Sequence, residues 1–296
     1  MLLLLLSALC SAALMLVFKA FEKWKVNIWQ GVTFNYFACV LTGSFTFVLQ
    51  GTSSAYNLSN LSDWLYPAAF LGLLFFTGFS LSGFSAQKAG VTITTLAAKM
   101  SLIVPVLFNL WWMPDNRLSA TTYAGIVLTF PALWLASAKR STVQLHHQQR
   151  TTVATTLLPV AVFVAGGMVD TTVNWANSRL QHEWQQAVFA IASFGAAGIC
   201  GLAVLIFRMI TYREYLTWRS VAGGVALGVP NYFSIYLLLQ ALSAFNNNGA
   251  WLFPLYNILI ILVASAGSVL LFGERLSFIN LIGMTIAIIA LTLLAG

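Results

Sequence analysis

The chain has 296 residues, of which 59% are hydrophobic and 7% are charged, and its net charge at pH 7 is +7. Such a composition excludes a soluble globular domain, because too few polar side chains are available to cover its surface. The positive charge requires no nucleic acid or acidic partner, since it is concentrated in loops beside apolar segments, where anionic lipid attracts it. We therefore expect the lipid bilayer to be the main partner of this chain.

Ten apolar segments are long enough to cross a membrane, because about 20 helical residues span a hydrocarbon core of about 30 Å. In chain order they cover 1–20, 29–50, 64–84, 92–112, 120–138, 153–175, 186–208, 220–242, 249–271 and 278–295. The predicted fold is an all-α membrane protein of ten transmembrane helices. Residues 1–138 form a first five-span repeat, 139–152 a central cytoplasmic linker, and 153–296 a second five-span repeat.

Weak internal similarity supports this division into repeats. The hexamers PDNRLS at 114–119 and FGERLS at 272–277 each separate two apolar segments, and a shift of 158 residues places Gly125 on Gly283. Upstream, a shift of 155 superposes Trp29-Gln30 on Trp184-Gln185. Because five is an odd number of spans, the second repeat would cross the membrane in the opposite sense. Inverted repeats of this kind are a known building plan of secondary transporters.

The positive charges predict the orientation, because lysine and arginine accumulate in cytoplasmic loops. The odd-numbered loops carry Lys19, Lys23, Lys25, Lys88, Lys139, Arg140, Arg150, Arg208, Arg213, Arg219 and Arg275, whereas the even-numbered loops carry Arg117 and Arg179. The chain is therefore predicted to lie in a bacterial cytoplasmic (inner) membrane with both termini on the outer side, away from the cytoplasm. The first segment lacks the basic start of a signal peptide and is interpreted as a retained span.

Two stretches correspond to one another between the halves, AAKMSLIVPVLFNLWW with NRLS and Gly125, and WLFPLYNILIILVASAGSVLLFGERLS with Gly283. In these stretches the chain resembles the EamA-like members of the drug/metabolite transporter superfamily. The resemblance extends over essentially the whole chain, and the second copy matches better, since the first has Asn116 where the second has Glu274. It implies ten spans in two repeats and a central cavity lined mainly by the first four spans of each half. Alternating access would expose that cavity to each membrane face in turn.

Lys99 is the first candidate for a transport site, because it lies about eight residues inside the fourth segment. A charged side chain at such depth costs at least about 2.5–3.5 kcal/mol unless it finds a partner or water. It is predicted to bind a substrate carboxylate or phosphate, or to release its proton when desolvated. The alternatives are a lysine that extends to the membrane boundary or one held in a structural pair.

Asp170 is the second candidate, in the sixth segment after Gly166-Gly167. Burial disfavours the ionised form of a carboxyl group, so protonation could alternate with substrate binding. Asp170 is therefore the predicted proton-coupling residue. The alternatives are an interfacial acid or a fixed partner of Lys99.

Uncharged polar residues within the segments form a second set of candidates. The predicted substrate-binding residues besides Lys99 are Asn35, Ser101, Asn174, Trp175, Asn231, Tyr232, Tyr256 and Asn257. Pro105, Pro230 and Pro254 are predicted helix breaks or hinges, because proline within a span leaves a backbone carbonyl available to a ligand or a neighbouring helix. The alternative is that the polar side chains only join helices to one another.

Other classes of protein find less support in the sequence. His146-His147 lie in the linker and His182 in a short loop, and no cofactor-binding, metal-binding or ATP-binding motif is present, so we expect neither an enzyme nor a pump. We predict a transporter of a small organic metabolite, amino-acid-like or otherwise amphipathic. The alternatives are a flippase for a lipid-linked phosphate carrier on the same fold and a structural membrane protein. The sequence leaves open whether the protein is a monomer or a homodimer.

Overall fold

The computed structural model describes residues 1–49, 61–88, 91–112, 118–137, 153–180, 182–273 and 277–295. Within these ranges all regular secondary structure is α-helical. The helices of the described residues are α1 (Leu2–Trp24), α2 (Ile28–Leu49), α3 (Leu61–Lys88), α4 (Val91–Met100), α5 (Ile103–Trp112), α6 (Ala120–Ser137), α7 (Val153–Asn177), α8 (Glu183–Tyr212), α9 (Trp218–Ala244), α10 (Gly249–Phe272) and α11 (Phe278–Ala295). The predicted linker and the residues Arg117, Glu274 and Arg275 lie outside the described residues.

Among the described residues, six helices are long and apolar enough to cross a membrane, namely α2, α3, α7, α8, α9 and α10. Shorter apolar stretches occupy α1, α4 with α5, α6 and α11. Each predicted span therefore coincides with a helix or, for the fourth span, with a pair of helices. These features are those of an all-α, multi-pass membrane protein. The total of ten spans stays a prediction, because four of the stretches are short.

The helices form two compact units. Unit 1 comprises Met1–Phe76 and Thr172–Asn247, and unit 2 comprises Thr77–Thr171 and Asn248–Gly296. Each unit thus takes helices from both predicted repeats. The boundaries of the compact units therefore differ from the boundaries of the predicted repeats.

In unit 1, α2 packs against α8 and α9, and α1 packs against α9. The contact between α2 and α8 is reciprocal. A methyl group on Gly43 would lie 2.6 Å from Ile191 Cγ1, and one on Gly198 would lie 3.5 Å from Tyr36 Cβ. The shift of 155 residues assigns Gly198 to Gly43 and Ile191 to Tyr36. Such exchange of equivalent contacts is the property of an interface with two-fold symmetry.

In unit 2, α6 and α11 pack together in the same reciprocal manner. A methyl group on Gly125 would lie 2.9 Å from Leu294 Cγ, and one on Gly283 would collide with the backbone of Ala136. The shift of 158 residues relates Gly125 to Gly283 and Ala136 to Leu294. Asn280 adds a connection, because its Nδ2 donates to the Ala136 carbonyl oxygen at 2.9 Å.

The fourth apolar segment is interrupted between α4 and α5, just before Pro105. Proline has no N–H, so it cannot donate to the carbonyl four residues earlier, that of Ser101. That carbonyl instead accepts from the Val104 N–H at 3.0 Å, and the Lys99 carbonyl accepts from the Leu102 N–H at 3.5 Å. These bonds to the third preceding residue tighten the chain locally.

The other two prolines do not interrupt their helices. Pro230 lies inside α9 and Pro254 inside α10, and both helices are continuous through the proline. The helix breaks predicted at these two positions are therefore wrong. A helix packed among other helices in a membrane protein can continue through a proline, because its neighbours compensate for the loss of a single backbone hydrogen bond. A hinge role for the prolines stays a prediction.

Candidate functional site

Unit 2 contains a buried ammonium group. Lys99, in the last turn of α4, is 9% exposed, and its Nζ donates to Asn257 Oδ1 of α10 at 3.4 Å. The Asn257 side chain is oriented by its own Nδ2, which donates to the Phe253 carbonyl at 3.0 Å. α10 therefore presents a neutral oxygen to the lysine. We name Lys99, Asn257 and Asp170 together the charged cluster.

Asp170 completes the charged cluster from α7. It is half-buried, and its charge interacts with that of Lys99. Among the described residues, the two groups form no ion pair within 4.0 Å. The hydrogen bond of the Lys99 ammonium goes to Asn257. The structure thus does not support the alternative in which Asp170 is the fixed, directly bonded partner of Lys99.

The position of Asp170 depends on the two glycines that precede it on α7. A methyl group on Gly166 would lie 2.7 Å from Ser101 Oγ, and one on Gly167 would lie 2.5 Å from Val104 Cγ2. The glycines therefore allow α7 to contact the interruption between α4 and α5. Because Gly166 and Asp170 are four residues apart, they lie on the same face of α7.

Ser101 has a structural role in this contact. It is 2% exposed, and its hydroxyl donates to the Ala98 carbonyl at 2.7 Å, which holds the end of α4. Its predicted contact with substrate stays a prediction. The Tyr256 side chain, also predicted to bind substrate, is buried beside Asn257 on α10.

One polar group in unit 2 was missed by the sequence reasoning. The Thr171 hydroxyl is buried and has no hydrogen-bond partner among the described residues. It follows Asp170 directly, so a search for polar neighbours of the membrane carboxylate would have found it. A buried hydroxyl without a partner costs about 1–3 kcal/mol, which a bound ligand can offset.

Unit 1 contains a neutral counterpart, the amide cluster of Asn35 and Asn231. Asn231 Nδ2 of α9 donates to Asn35 Oδ1 of α2 at 3.1 Å, and Asn35 Nδ2 is buried with no partner among the described residues. The Cys39 thiol donates to the Gly228 carbonyl at 3.3 Å and contributes to the same contact between α2 and α9. This cluster joins helices and also retains an unused donor.

Tyr232 lies beside the amide cluster and is fully buried. Its hydroxyl accepts from Thr46 Oγ1 at 3.4 Å, and its ring stacks on Tyr236 with 5.6 Å between the ring centroids. The residue predicted to contact substrate therefore has an evident packing role in unit 1. Contact with substrate stays a prediction for Tyr232 and for the amide cluster.

Two predicted residues at the end of α7 have different environments. Asn174 is fully buried, and neither its Nδ2 nor its Oδ1 has a partner among the described residues. Trp175 lies under the exposed Arg179, whose guanidinium carbon is 3.7 Å from the ring centroid. Of the two, Asn174 has the unfulfilled hydrogen-bonding capacity expected of a ligand-binding group.

The sequence reasoning also missed a polar network in unit 1 that joins α7, α8 and α9. Gln186 Nε2 donates to Asn177 Oδ1 at 3.0 Å and to Ser243 Oγ at 2.7 Å, while Asn177 Nδ2 donates to Asn247 Oδ1 at 2.6 Å. Gln186 and Ser243 line a cavity of about 550 Å³ together with His182, Glu183 and Gln240. Polar residues near the ends of apolar segments could have indicated this network, but not its connections.

Comparisons with known proteins support the fold and do not identify an activity. No protein-family model matches the chain. The chain is 25% identical over 288 residues to an uncharacterized protein of Haemophilus influenzae, with 96% of this chain and 94% of the relative covered. A protein of known crystal structure superposes with a TM-score of 0.72 at 14% identity, with 99% of this chain and 97% of that chain covered. Both similarities extend over nearly the full length, and the structural one shows the fold alone.

Proposed function

We propose that the protein is a secondary transporter, similar to the EamA-like members of the drug/metabolite transporter superfamily. It would move a small organic metabolite, amino-acid-like or otherwise amphipathic, across the bacterial cytoplasmic membrane by alternating access. Ten spans in two inverted repeats, with both termini outside, are part of this proposal.

The observation that carries the proposal is the environment of Lys99. Its ammonium group is buried beside a helix interruption and is bonded to a neutral amide oxygen. A charge in this position is costly within a membrane, and an amide offsets only part of that cost. The positive charge is therefore available to a substrate anion, either a carboxylate or a phosphate.

Asp170 suits the role of the proton-coupling residue. Its carboxyl group acts on the charge of Lys99 without a direct bond to it. When Asp170 is ionised, it competes with a substrate anion for Lys99, and when it is protonated, this competition ends. Proton binding at Asp170 and anion binding at Lys99 would thus favour one another, which is a thermodynamic coupling between the two ligands.

The internal repetition supports the transport cycle. Lys99 and Asn257 are 158 residues apart and bonded to each other, and 158 is also the shift that relates Gly125 to Gly283. Equivalent positions of the two repeats therefore meet, as they would beside a two-fold axis. Exchange of conformations between two inverted repeats is the usual basis of alternating access.

A flux measurement tests the proposal. The purified protein would be reconstituted in liposomes and offered radiolabelled amino acids, organic acids, amines, nucleosides and sugar phosphates, with and without a proton gradient. We expect saturable flux of at least one anionic or zwitterionic class. Lys99→Gln should lower the flux by about 10- to 100-fold. Asp170→Asn should abolish the dependence of the flux on the proton gradient, and Arg213→Gln, which removes an exposed cation outside the predicted site residues, should change neither.

Two results would overturn the proposal. Flux that is equal in wild type, Lys99→Gln and Asp170→Asn would make the charged cluster structural. Absence of flux for every water-soluble class, together with Lys99-dependent movement of a lipid-linked phosphate between leaflets, would establish the flippase alternative instead.

A further inference from the structure

A basic groove lies in unit 1 where the end of α1 meets the start of α9. It is a cavity of about 590 Å³ lined by Lys23, Trp24, Lys25, Arg219, Ala222, Gly223 and Ala226. The α9 residues are spaced by three or four, so they form one face of that helix. The lining thus combines three cations with a floor of small side chains.

A helix cap fixes the backbone at the end of α1, which carries two of the cations. Lys25 adopts a left-handed conformation with φ 53°, and the Val26 N–H donates to the Phe21 carbonyl at 3.0 Å, which is the pattern of a helix C-terminal cap. Phe21 and Val26 pack with Leu227 of α9 in a buried cluster. The groove is therefore built on a packed junction between the two helices.

Glycine at position 223 allows this junction to form. A methyl group there would lie 2.9 Å from Val26 Cγ2. Gly223 also lines the groove, so the position that permits the close approach of α1 to α9 is part of the groove wall.

Three cations line this one groove. Among the described residues, no acidic side chain lines the groove beside Lys23, Lys25 and Arg219, and none of the three forms an ion pair there. Arg208 differs, because its guanidinium is paired with Glu214. Three cations that line the same groove favour an anionic ligand.

The surroundings of the groove indicate where the anion comes from. α9 is one of the helices long and apolar enough to cross a membrane, and the groove lies at its first two turns. Trp24 and Trp218 are exposed there, and Val225 and Val229 are exposed one to two turns further along α9. Exposed tryptophans are typical of the membrane interface, and exposed valines beyond them are typical of a surface that contacts acyl chains.

We propose that the basic groove binds the phosphate headgroup of an anionic phospholipid. Lys23, Lys25 and Arg219 bind the phosphate, and the small residues of α9 leave room for the glycerol backbone. The acyl chains then follow the exposed apolar face of α9. This site is independent of the proposed transport activity.

The test compares lipids on the full-length protein in neutral detergent. Thermal unfolding would be followed by tryptophan fluorescence during titration with phosphatidylglycerol, phosphatidylcholine, glycerol phosphate or inorganic phosphate. We expect saturable stabilisation by phosphatidylglycerol, weakened by salt, and little by the other three probes. Lys25→Gly and Arg219→Gln should each weaken the apparent affinity for phosphatidylglycerol by about fivefold.

Two features of the variants separate lost binding from lost folding. Glycine suits the left-handed conformation at position 25, so Lys25→Gly should unfold without lipid at the wild-type temperature or above it. Arg213 is exposed in the segment between α8 and α9 and does not line the groove. Arg213→Gln should therefore keep the wild-type affinity.

Three results would overturn the inference. Equal stabilisation by phosphatidylglycerol and phosphatidylcholine would show that the groove does not recognise the anionic headgroup. An equal loss of affinity in Arg213→Gln and Arg219→Gln would show a diffuse effect of net charge. Saturation by inorganic phosphate at the same concentration as by phosphatidylglycerol would assign the groove to a soluble anion instead.

Discussion

The polar interiors of the two compact units differ in charge although both units are built around a reciprocal helix pair. Unit 2 bonds Lys99 to Asn257 with the charge of Asp170 nearby, whereas unit 1 bonds Asn231 to Asn35. Glycines determine the helix contacts in both units. The difference shows that helix packing and site chemistry are separable, because packing depends on side-chain volume and the sites depend on charge.

The largest effect on transport is expected from changes at Lys99 and Asn257, the equivalent positions of the two repeats that meet in unit 2. Lys99→Asn should lower flux by about 10- to 100-fold, because it removes a charged contact to the substrate. The double variant Lys99→Asn/Asn257→Lys returns an ammonium to the same contact from the other helix, and we expect it to recover at least part of this loss. Liposome flux of both variants, at matched reconstitution, is the measurement.

The amide cluster supplies the comparison for this exchange. Asn231→Ala should lower flux by less than about tenfold, because it removes neutral hydrogen bonds. A loss in Asn231→Ala as large as that in Lys99→Asn would contradict the distinction between the two units.

The next effect concerns packing at the glycine contacts. Gly167→Ala should destabilise the protein by about 1–3 kcal/mol, because the added methyl group meets the stiff, branched Val104 side chain. Gly198→Ala is the matched control in unit 1, where the methyl group would lie 3.5 Å from its nearest neighbour. The control should be neutral or gain up to about 1 kcal/mol from helix propensity. The unfolding free energy in mixed detergent micelles measures both.

A smaller effect is expected at Asn174, whose amide has no partner. Asn174→Leu should raise the unfolding free energy by about 1 kcal/mol, because it removes a buried polar group and keeps the number and branching of the side-chain heavy atoms. If Asn174 also binds substrate, flux should fall in the same variant. A decrease in stability would instead show that the amide is bonded in the membrane-embedded protein.

The smallest effect on stability is expected for the ion pair of Arg208 and Glu214 at the end of α8. The Arg208 guanidinium donates to the Glu214 carboxylate and holds the pKa of Glu214 below its ordinary value. The pair's contribution to stability is therefore present above the unfolded-state pKa of Glu214 and is lost as pH falls through its lower, folded-state pKa. We expect less than about 1 kcal/mol.

Thermal unfolding at neutral pH and at about pH 3 checks this pair. Glu214→Gln should reduce the pH dependence of stability, and Arg208→Gln should do the same. The double variant should add nothing further, since both substitutions remove one interaction. Additive effects would contradict the pairing.

Much of the architecture was predictable because it depends on local properties. Length and hydropathy located the apolar helices, and the cost of charge in a span singled out Lys99 and Asp170. The prolines were less informative. Of the three prolines predicted to break helices, Pro105 adjoins an interruption, whereas α9 and α10 continue through Pro230 and Pro254. The effect of one missing N–H depends on the packing around it.

The partners of the polar residues were not predictable. No local pattern indicates that Gln186 bonds Asn177 and Ser243, or that the Thr171 hydroxyl lacks a partner. The same is true of the basic groove, whose lysines and arginine were assigned only to loops. Each of these features requires two segments that are distant in the chain to be packed together.

The sequence by itself determined that this chain is an apolar, helical membrane protein with weak internal repetition and with two charged residues inside its apolar segments. Only the tertiary structure decided that Lys99 is bonded to Asn257, 158 residues away, and not directly to Asp170. The physical reason is the range of the forces involved. Transfer of a side chain into the bilayer depends on that side chain alone, whereas a hydrogen bond of about 3 Å depends on the packing of every helix between its two partners.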